Sequence, residues 1–316
     1  MKTLFRARIS FLLLAALSAA APVLVFVQSA SAADPAPNVV LEERIVYGKG
    51  GTEDLILDLA RPEHPTDLVP GIVYIHGGGW EAGSRQDYRS EIQRAAKRGY
   101  VAVTIDYRLN KPDQKGKPKY PFPAQIEDAK CAVRWLRANA EKYHIDPQRI
   151  GATGGSAGGH LSLLLGLTGS TKQFEGTGGN PDVSSRVQVV VNYFGPTDFA
   201  AMYGYNKQVD GIFDRFLGGK PQERPEQYKA VSPVTYVSPD ACPILTVHGT
   251  VDKLVPVDQA AEFDAAMRKA GAMSKLIILE KQGHGFGGPA AVKAREETFS
   301  FFDRYLRQTS GAAVTR

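Results

Sequence analysis

Ile150-Gly151-Ala152-Thr153-Gly154-Gly155-Ser156-Ala157-Gly158-Gly159-His160-Leu161 joins a short apolar run to an apolar stretch over Ala157–Leu167 through a serine set among glycines. A short run, a Gly-Gly break and then helical spacing read as strand, sharp turn and helix. At the centre, Gly154-Gly155-Ser156-Ala157-Gly158 has the form G-x-S-x-G, which in that setting is a nucleophile elbow. Such a turn forces the serine into a strained backbone state, so neighbours without a Cβ are needed. The hydroxyl then stands at a helix N-terminus, where the dipole favours negative charge. A glycine-rich helix entry without chemistry is the competing reading, and the strand before and the helix after argue against it.

Working outward, the same alternation continues. Ile45–Tyr47 and Leu55–Leu59 alternate apolar and polar residues, as a half-buried strand pair does, with Gly48-Lys49-Gly50-Gly51 as the turn. Gly71–Ile75, Val101–Ile105, Ile150–Thr153, Val187–Val191, Ile244–Val247 and Leu276–Leu279 are unbroken apolar runs, which predict strands buried on both faces of a parallel sheet. Helices are predicted over Ser90–Arg98, Ala124–Tyr143, Ala157–Leu167, Gln259–Ala270 and Ala290–Leu306. The fold class is therefore α/β: a mostly parallel central sheet flanked by helices. One domain is expected over residues 39–308, with a flexible tail at 309–316. An irregular insertion from about Thr197 to Ala241 precedes the strand that leads to Asp252.

Three further motifs carry chemistry. His76-Gly77-Gly78-Gly79-Trp80 ends the strand at Ile75, and bare glycines let backbone N–H groups approach a developing oxyanion. Gly78, Gly79 and Ala157 are the expected donors. A dinucleotide loop would need spaced glycines opening a helix and an acid about 20 residues on, which this stretch lacks. His248-Gly249-Thr250-Val251-Asp252 and Gln282-Gly283-His284-Gly285-Phe286 each follow a strand. The order Ser156, Asp252, His284 differs from the two main serine-protease orders and belongs to the α/β-hydrolases. In an open parallel sheet the strand C-termini gather in one crevice. Asp198, after the preceding strand, is the rival acid, expected instead to cap or brace the insertion. Among the other histidines, His64 and His144 read as structural, His76 and His248 as braces, and His160 as pointing away from the crevice. None has zinc-ligand spacing, so neither metal nor cofactor is expected. Trp80, Tyr107, Tyr203, Tyr205 and Phe213 are candidate pocket liners, with ordinary loop packing as the alternative.

The N-terminus reads as an address label. Lys2, Arg6 and Arg8 precede an apolar run from Phe11 to Val27, broken only by Ser18 and Pro22, and Ala30-Ser31-Ala32 fits a signal-peptidase site. Residues 1–32 are expected to be a signal peptide and 33–38 a short flexible lead. A membrane anchor is the alternative, but the run falls short of the roughly 20 residues a span needs. A secreted or periplasmic protein follows, with no stable membrane insertion after cleavage. Without those three residues the 38 basic side chains fall to 35 against 33 acidic ones, and no basic stripe marks a nucleic-acid binder. Cys131 and Cys242, the two cysteines, are expected as buried free thiols; sequence does not decide whether they pair. Oligomeric state stays open.

The blocks His76–Gly83, Asp106–Leu109, Ala132–Leu136, Gly154–His160, Gly249–Pro256 and Gly283–Gly285 resemble the esterase/lipase branch of the α/β-hydrolases. That branch includes the hormone-sensitive-lipase-like enzymes. The chain departs from that subgroup at Gly155, where an acid usually precedes the nucleophile. Gly178–Pro181, Ser184–Val187, Tyr193–Asp198 and Phe216–Gly219 bring it closer to bacterial carbohydrate-esterase and feruloyl-esterase-like (BD-FAE-type) enzymes. The resemblance spans roughly Val39 to Leu306. It implies a secreted serine esterase acting on short-chain or feruloyl esters, on a small-molecule or polysaccharide substrate. A serine exopeptidase of the same fold and a non-catalytic binding module are the alternatives.

Overall fold

In the computed structural model, which describes residues 38–112 and 117–307, the chain opens with two antiparallel strands, β1 (Val39–Gly50) and β2 (Glu53–Pro62). The turn between them is Gly51-Thr52, tighter than expected from sequence. Gly48 and Gly50 stay in the ladder. Gly48 is there for proximity, since a Cβ would run into Cys131 Sγ and the Gly178 carbonyl. The chain continues through β3 (Val69–Ile75), α1 (Arg89–Lys97), β4 (Val101–Ile105), α2 (Ala124–Ala138), α3 (Ala140–Tyr143), β5 (Ile145–Gly155) and α4 (Ala157–Leu167). It ends through β6 (Val189–Tyr193), α5 (Phe199–Met202), α6 (Lys207–Leu217), α7 (Pro225–Val231), β7 (Ile244–Gly249), α8 (Asp258–Lys269), β8 (Ser274–Leu279) and α9 (Gly288–Phe302).

All eight strands form one sheet in the order β1-β2-β4-β3-β5-β6-β7-β8, parallel from β4 to β8. Its fully buried runs, such as Ile72–Ile75 and Val101–Val103, are covered on both faces. One core joins Val73, Ala152 and Val190 to the α2, α4 and α8 side chains Val133, Leu164 and Phe263. The other joins Ile72, Val189 and Leu245 to Ile92 of α1 and Phe299 and Phe302 of α9. Each fully buried Leu, Ile or Phe contributes about 1.5–3 kcal/mol. α4 is buried all round, which is why its sequence is apolar without a polar stripe.

Two expectations are corrected. The helix expected over Ala124–Tyr143 is two helices. Asn139 breaks it and donates its side-chain amide to the Trp135 carbonyl (2.9 Å), and His144 in the left-handed region (φ 55°) ends the second piece. The insertion is not irregular but holds three α-helices and a 3-10 turn at Pro233–Tyr236. α6 starts where Asn206 Oδ1 accepts from the Gln208 and Val209 amides and stops at Gly218 (φ 79°). It buries Phe213, Phe216 and Leu217. Cys131 and Cys242 are both buried and free. Among the described residues no helix is long and apolar enough to cross a membrane. The signal-peptide and tail expectations lie outside the described residues, as does the lead up to residue 37.

A buried charge cluster ties α2 to the segment beyond α4. Lys130 and Arg134, almost fully buried, both reach Glu175 (2.9 and 2.7 Å), and Lys130 also donates to the Thr168 carbonyl. Burial raises the Glu175 pKa, but Ser185, Lys130 and Arg134 together outweigh it and hold the carboxyl below its ordinary value. Glu175→Gln leaves two buried cations short of an anion and should cost about 3–5 kcal/mol in urea unfolding. Because the folded pKa is depressed, this contribution is present above the free-glutamate pKa of about 4.3 and is lost as pH falls through the folded value. The variant should therefore lose less stability than the wild type as pH drops below about 4.5, read from unfolding midpoints across pH.

Candidate active site

The elbow is built where β5 stops. Ser156 sits at φ 57°, ψ −121°, its N–H donating to the Tyr193 carbonyl of β6 (2.9 Å). The surrounding glycines are demanded by proximity: a Cβ on Gly154 or Gly158 would collide with the Ile75 carbonyl oxygen. β3 and β5 run side by side there, and the first turn of α4 crosses over both. The Ser156 side chain is left half-buried, facing a cavity of about 350 Å³.

His76–Trp80 enters the same cavity from the end of β3. Gly78 (φ 102°) and Gly79 (φ 59°) take left-handed backbone, and both line the cavity with Ser156 and His284. Among the described residues the N–H groups of Gly78, Gly79 and Ala157 have no acceptor. Three free amides beside a serine at a helix N-terminus form a place for an oxyanion.

The candidate acid and base lie in the loops that follow β7 and β8. Asp252 is 3% exposed, and its Oδ2 accepts from His284 Nδ1 at 2.7 Å. Its Oδ1 accepts from the Leu254 and Val255 amides at 2.8 and 3.0 Å. His248 Nε2 donates to the Val255 carbonyl (2.9 Å) and lies 3.4 Å from Asp252 Oδ2. Burial raises the Asp252 pKa, but hydrogen bonds from His248, His284 and the Val255 amide outweigh it and keep the carboxyl well below the usual range. The carboxylate is thus ionised wherever His284 needs an anion at Nδ1, and His284 Nε2 is the nitrogen left for chemistry. Ser156 Oγ and His284 face one cavity without a hydrogen bond between them among the described residues. Such contacts commonly tighten only with substrate bound.

Asp198 lies elsewhere in role: its side chain caps α5, accepting from the Ala201 amide at 3.0 Å. His160, fully buried, bonds the Val231 carbonyl (2.8 Å), and burial drives its pKa down to about 3. His76 bonds the Gly77 carbonyl within its own loop.

Most of the aromatic candidates turn out to be braces, which corrects the sequence-based expectation. Tyr107 is buried, stacked on the His76 ring (4.2 Å), and donates to the His76 and Gly77 carbonyls, so it props the glycine loop from behind. Tyr203 donates to Asp214 within the insertion. Tyr205 is half-exposed and donates to the Asp252 carbonyl (2.9 Å), and Asn206 beside it reaches the Lys253 carbonyl. Those two bonds staple the insertion to the acid loop. Trp80 does line the cavity but is 3% exposed, stacked on Phe216 (4.4 Å, 8°) and edge-on to His160. It has no open face for a sugar. Phe213 lines the wall as expected.

The wall residues missed are Pro196 after β6, Met202, Gln208, Val209 and Ile212 from the insertion, and Leu254 and Val255 from the acid loop. Gln208, Val209, Ile212 and Phe213 follow the spacing of one helix face, and Asn206 before them is an N-cap residue type. That signal was legible in the insertion.

The BD-FAE family profile matches residues 57–267. Esterase LipQ of Mycobacterium tuberculosis is 31% identical over 255 residues, covering 79% of this chain and 58% of its own. A carbohydrate esterase from gut microbiota, in truncated form, superposes with a TM-score of 0.71 at 27% identity, covering 87% of this chain and 99% of that one. A thermophilic esterase from Thermogutta terrifontis gives 0.69 at 30% identity, covering 88% and 96%. The chain spans about half to three fifths of the length of the curated Mycobacterium tuberculosis esterases it matches over 229 residues or more.

The two acids are separated by comparing kcat on one p-nitrophenyl ester. Asp252→Asn should lower it by about 10⁴, because the imidazole loses its orienting anion. Asp198→Asn should stay within a few-fold in kcat and lose at most about 1 kcal/mol of stability. A larger kcat loss at Asp198 reverses the assignment.

Proposed function

The chain belongs to the BD-FAE family, and we propose that it is an exported serine esterase removing short or single-ring acyl groups from carbohydrate. The observation that carries this reading is the buried Asp252–His284 pair opening onto the same cavity as Ser156, Gly78 and Gly79. Ser156 Oγ attacks the acyl carbon as His284 Nε2 takes its proton. The carbonyl oxygen gains charge toward the Gly78, Gly79 and Ala157 amides, each worth roughly 3 kcal/mol to the transition state. The proton passes to the alcohol oxygen, the C–O bond breaks and the acyl group stays on Ser156. Water, deprotonated by His284, then frees the acid and restores the serine. Asp252 keeps its charge throughout and stabilises the imidazolium.

Cavity size argues for the acyl group. Its walls are mostly apolar, Trp80, Met202, Val209, Ile212, Phe213 and Leu254 beside the polar Gln208, and enclose about 350 Å³, suited to a short chain or one ring. Ile212 packs against Gly79, setting the depth directly beside the proposed oxyanion site. The Thermogutta terrifontis esterase has been captured with propionate and with butyrate bound. The carbohydrate part draws on the gut-microbiota neighbour's description as a carbohydrate esterase. Export rests on the N-terminal sequence, and a polymeric substrate outside the cell fits it.

Ser156→Ala should keep the fold and lose at least about 10⁴ in kcat/KM. More than a few per cent residual activity would exclude Ser156. In a p-nitrophenyl acetate, butyrate and palmitate series, the short esters should lead, and a palmitate preference would sink the short-acyl claim. Acetate release from acetylated xylan, or acid release from methyl ferulate and its sugar esters, tests the alcohol side. Turnover of aminoacyl anilides above esters would point to the exopeptidase. Failure of Ser156 to react with a fluorophosphonate would point to a binding module.

A further inference from the structure

A second cavity, of about 200 Å³, lies on the opposite face of the sheet, under α1 and α9, directly behind the elbow. Six rings wall it: Tyr74, Tyr88, Tyr193, Phe194, Phe286 and Phe299. Tyr88 and Phe194 press against Gly155, where an added Cβ would lie 3.2 and 3.3 Å from them. Phe194 also packs on the His284 ring (4.6 Å) and on Phe286 (5.2 Å).

Within this aromatic shell Thr153, on β5, lines the cavity with a side chain 2% exposed, and its Oγ1 has no hydrogen-bond partner. A buried hydroxyl without a partner calls for one. The neighbouring polar groups do not supply it. Tyr193 bonds the Ala294 carbonyl and Thr298, and Thr298 bonds the Ala294 carbonyl. Charge does not select the ligand either, since Glu91 is held between Arg94 (3.3 Å) and Arg295 (3.4 Å).

We propose that this cavity binds a neutral aromatic alcohol of one ring, seated among the six rings with its hydroxyl bonded to Thr153 Oγ1. The volume fits one ring, the walls favour aromatic contact, and the unpartnered Thr153 hydroxyl sets the polar end. This site is separate from the Ser156 cavity and does not depend on the esterase reading.

Phenol is the probe and toluene its isostere without the hydroxyl, both titrated into the full chain with binding followed by NMR. Thr153→Val should weaken phenol about threefold to tenfold, the worth of one hydrogen bond, and leave toluene unchanged. Ala291→Leu, at the half-buried rim of α9, should weaken both ligands. Ile212→Trp, which fills the Ser156 cavity, should change neither. Thermal melts establish that each variant is folded. The proposal is overturned if phenol does not bind saturably, if Ile212→Trp abolishes binding, or if either Thr153→Val or Ala291→Leu binds phenol as the wild type does.

Discussion

Ser156 holds a positive φ that a side-chain-bearing residue adopts only when its surroundings enforce it, at a cost on the order of 1–3 kcal/mol. Two neighbouring strands enforce it. β6 takes the serine N–H, β3 presents the Ile75 carbonyl to Gly154 and Gly158, and Asn192 of β6 lies against Gly159. Any Cβ at these glycines would push α4 off the sheet and tilt the serine away from the cavity. The approach is possible only because α4 is apolar on every side and can sink into the core. Strain at one residue is thus held by packing spread over three strands and a helix.

The other half of the site depends on the insertion. The sheet places Asp252 and His284 beyond β7 and β8, and loop amides and His248 fix the carboxylate. The insertion then closes the site from above. Tyr205 and Asn206 bond the backbone of the acid loop, Phe216 stacks on Trp80, and α6 supplies much of the cavity wall. Aromatic residues near the site therefore work mainly as struts between loops. Tyr107 under the glycine loop is the plainest case, since its hydroxyl is spent on the His76 and Gly77 carbonyls. The loop that carries Asp252 and the glycine loop are each held by hydrogen bonds and ring contacts rather than by the sheet alone, and this ties the geometry of the candidate site to residues far from it in sequence.

Residue type and local spacing determined the alternation of strands and helices, the elbow at Ser156, the glycine loop and the order of Ser156, Asp252 and His284. Each of those is a short-range property: unbroken apolar runs, glycines beside a serine, an acid or histidine after a strand. Tertiary structure decided the rest. Asp252 rather than Asp198 meets His284 because β7 adjoins β8 and β6 does not. Tyr107, Tyr203 and Tyr205 became braces because their hydroxyls found partners that no local pattern encodes. The depth of the cavity was set by where α6 packs against Gly79, a contact between residues 133 positions apart in number, 79 and 212. Local sequence carries backbone preference and chemistry; which groups meet is a matter of long-range packing, and that is resolved only when the whole sheet and its insertion are assembled.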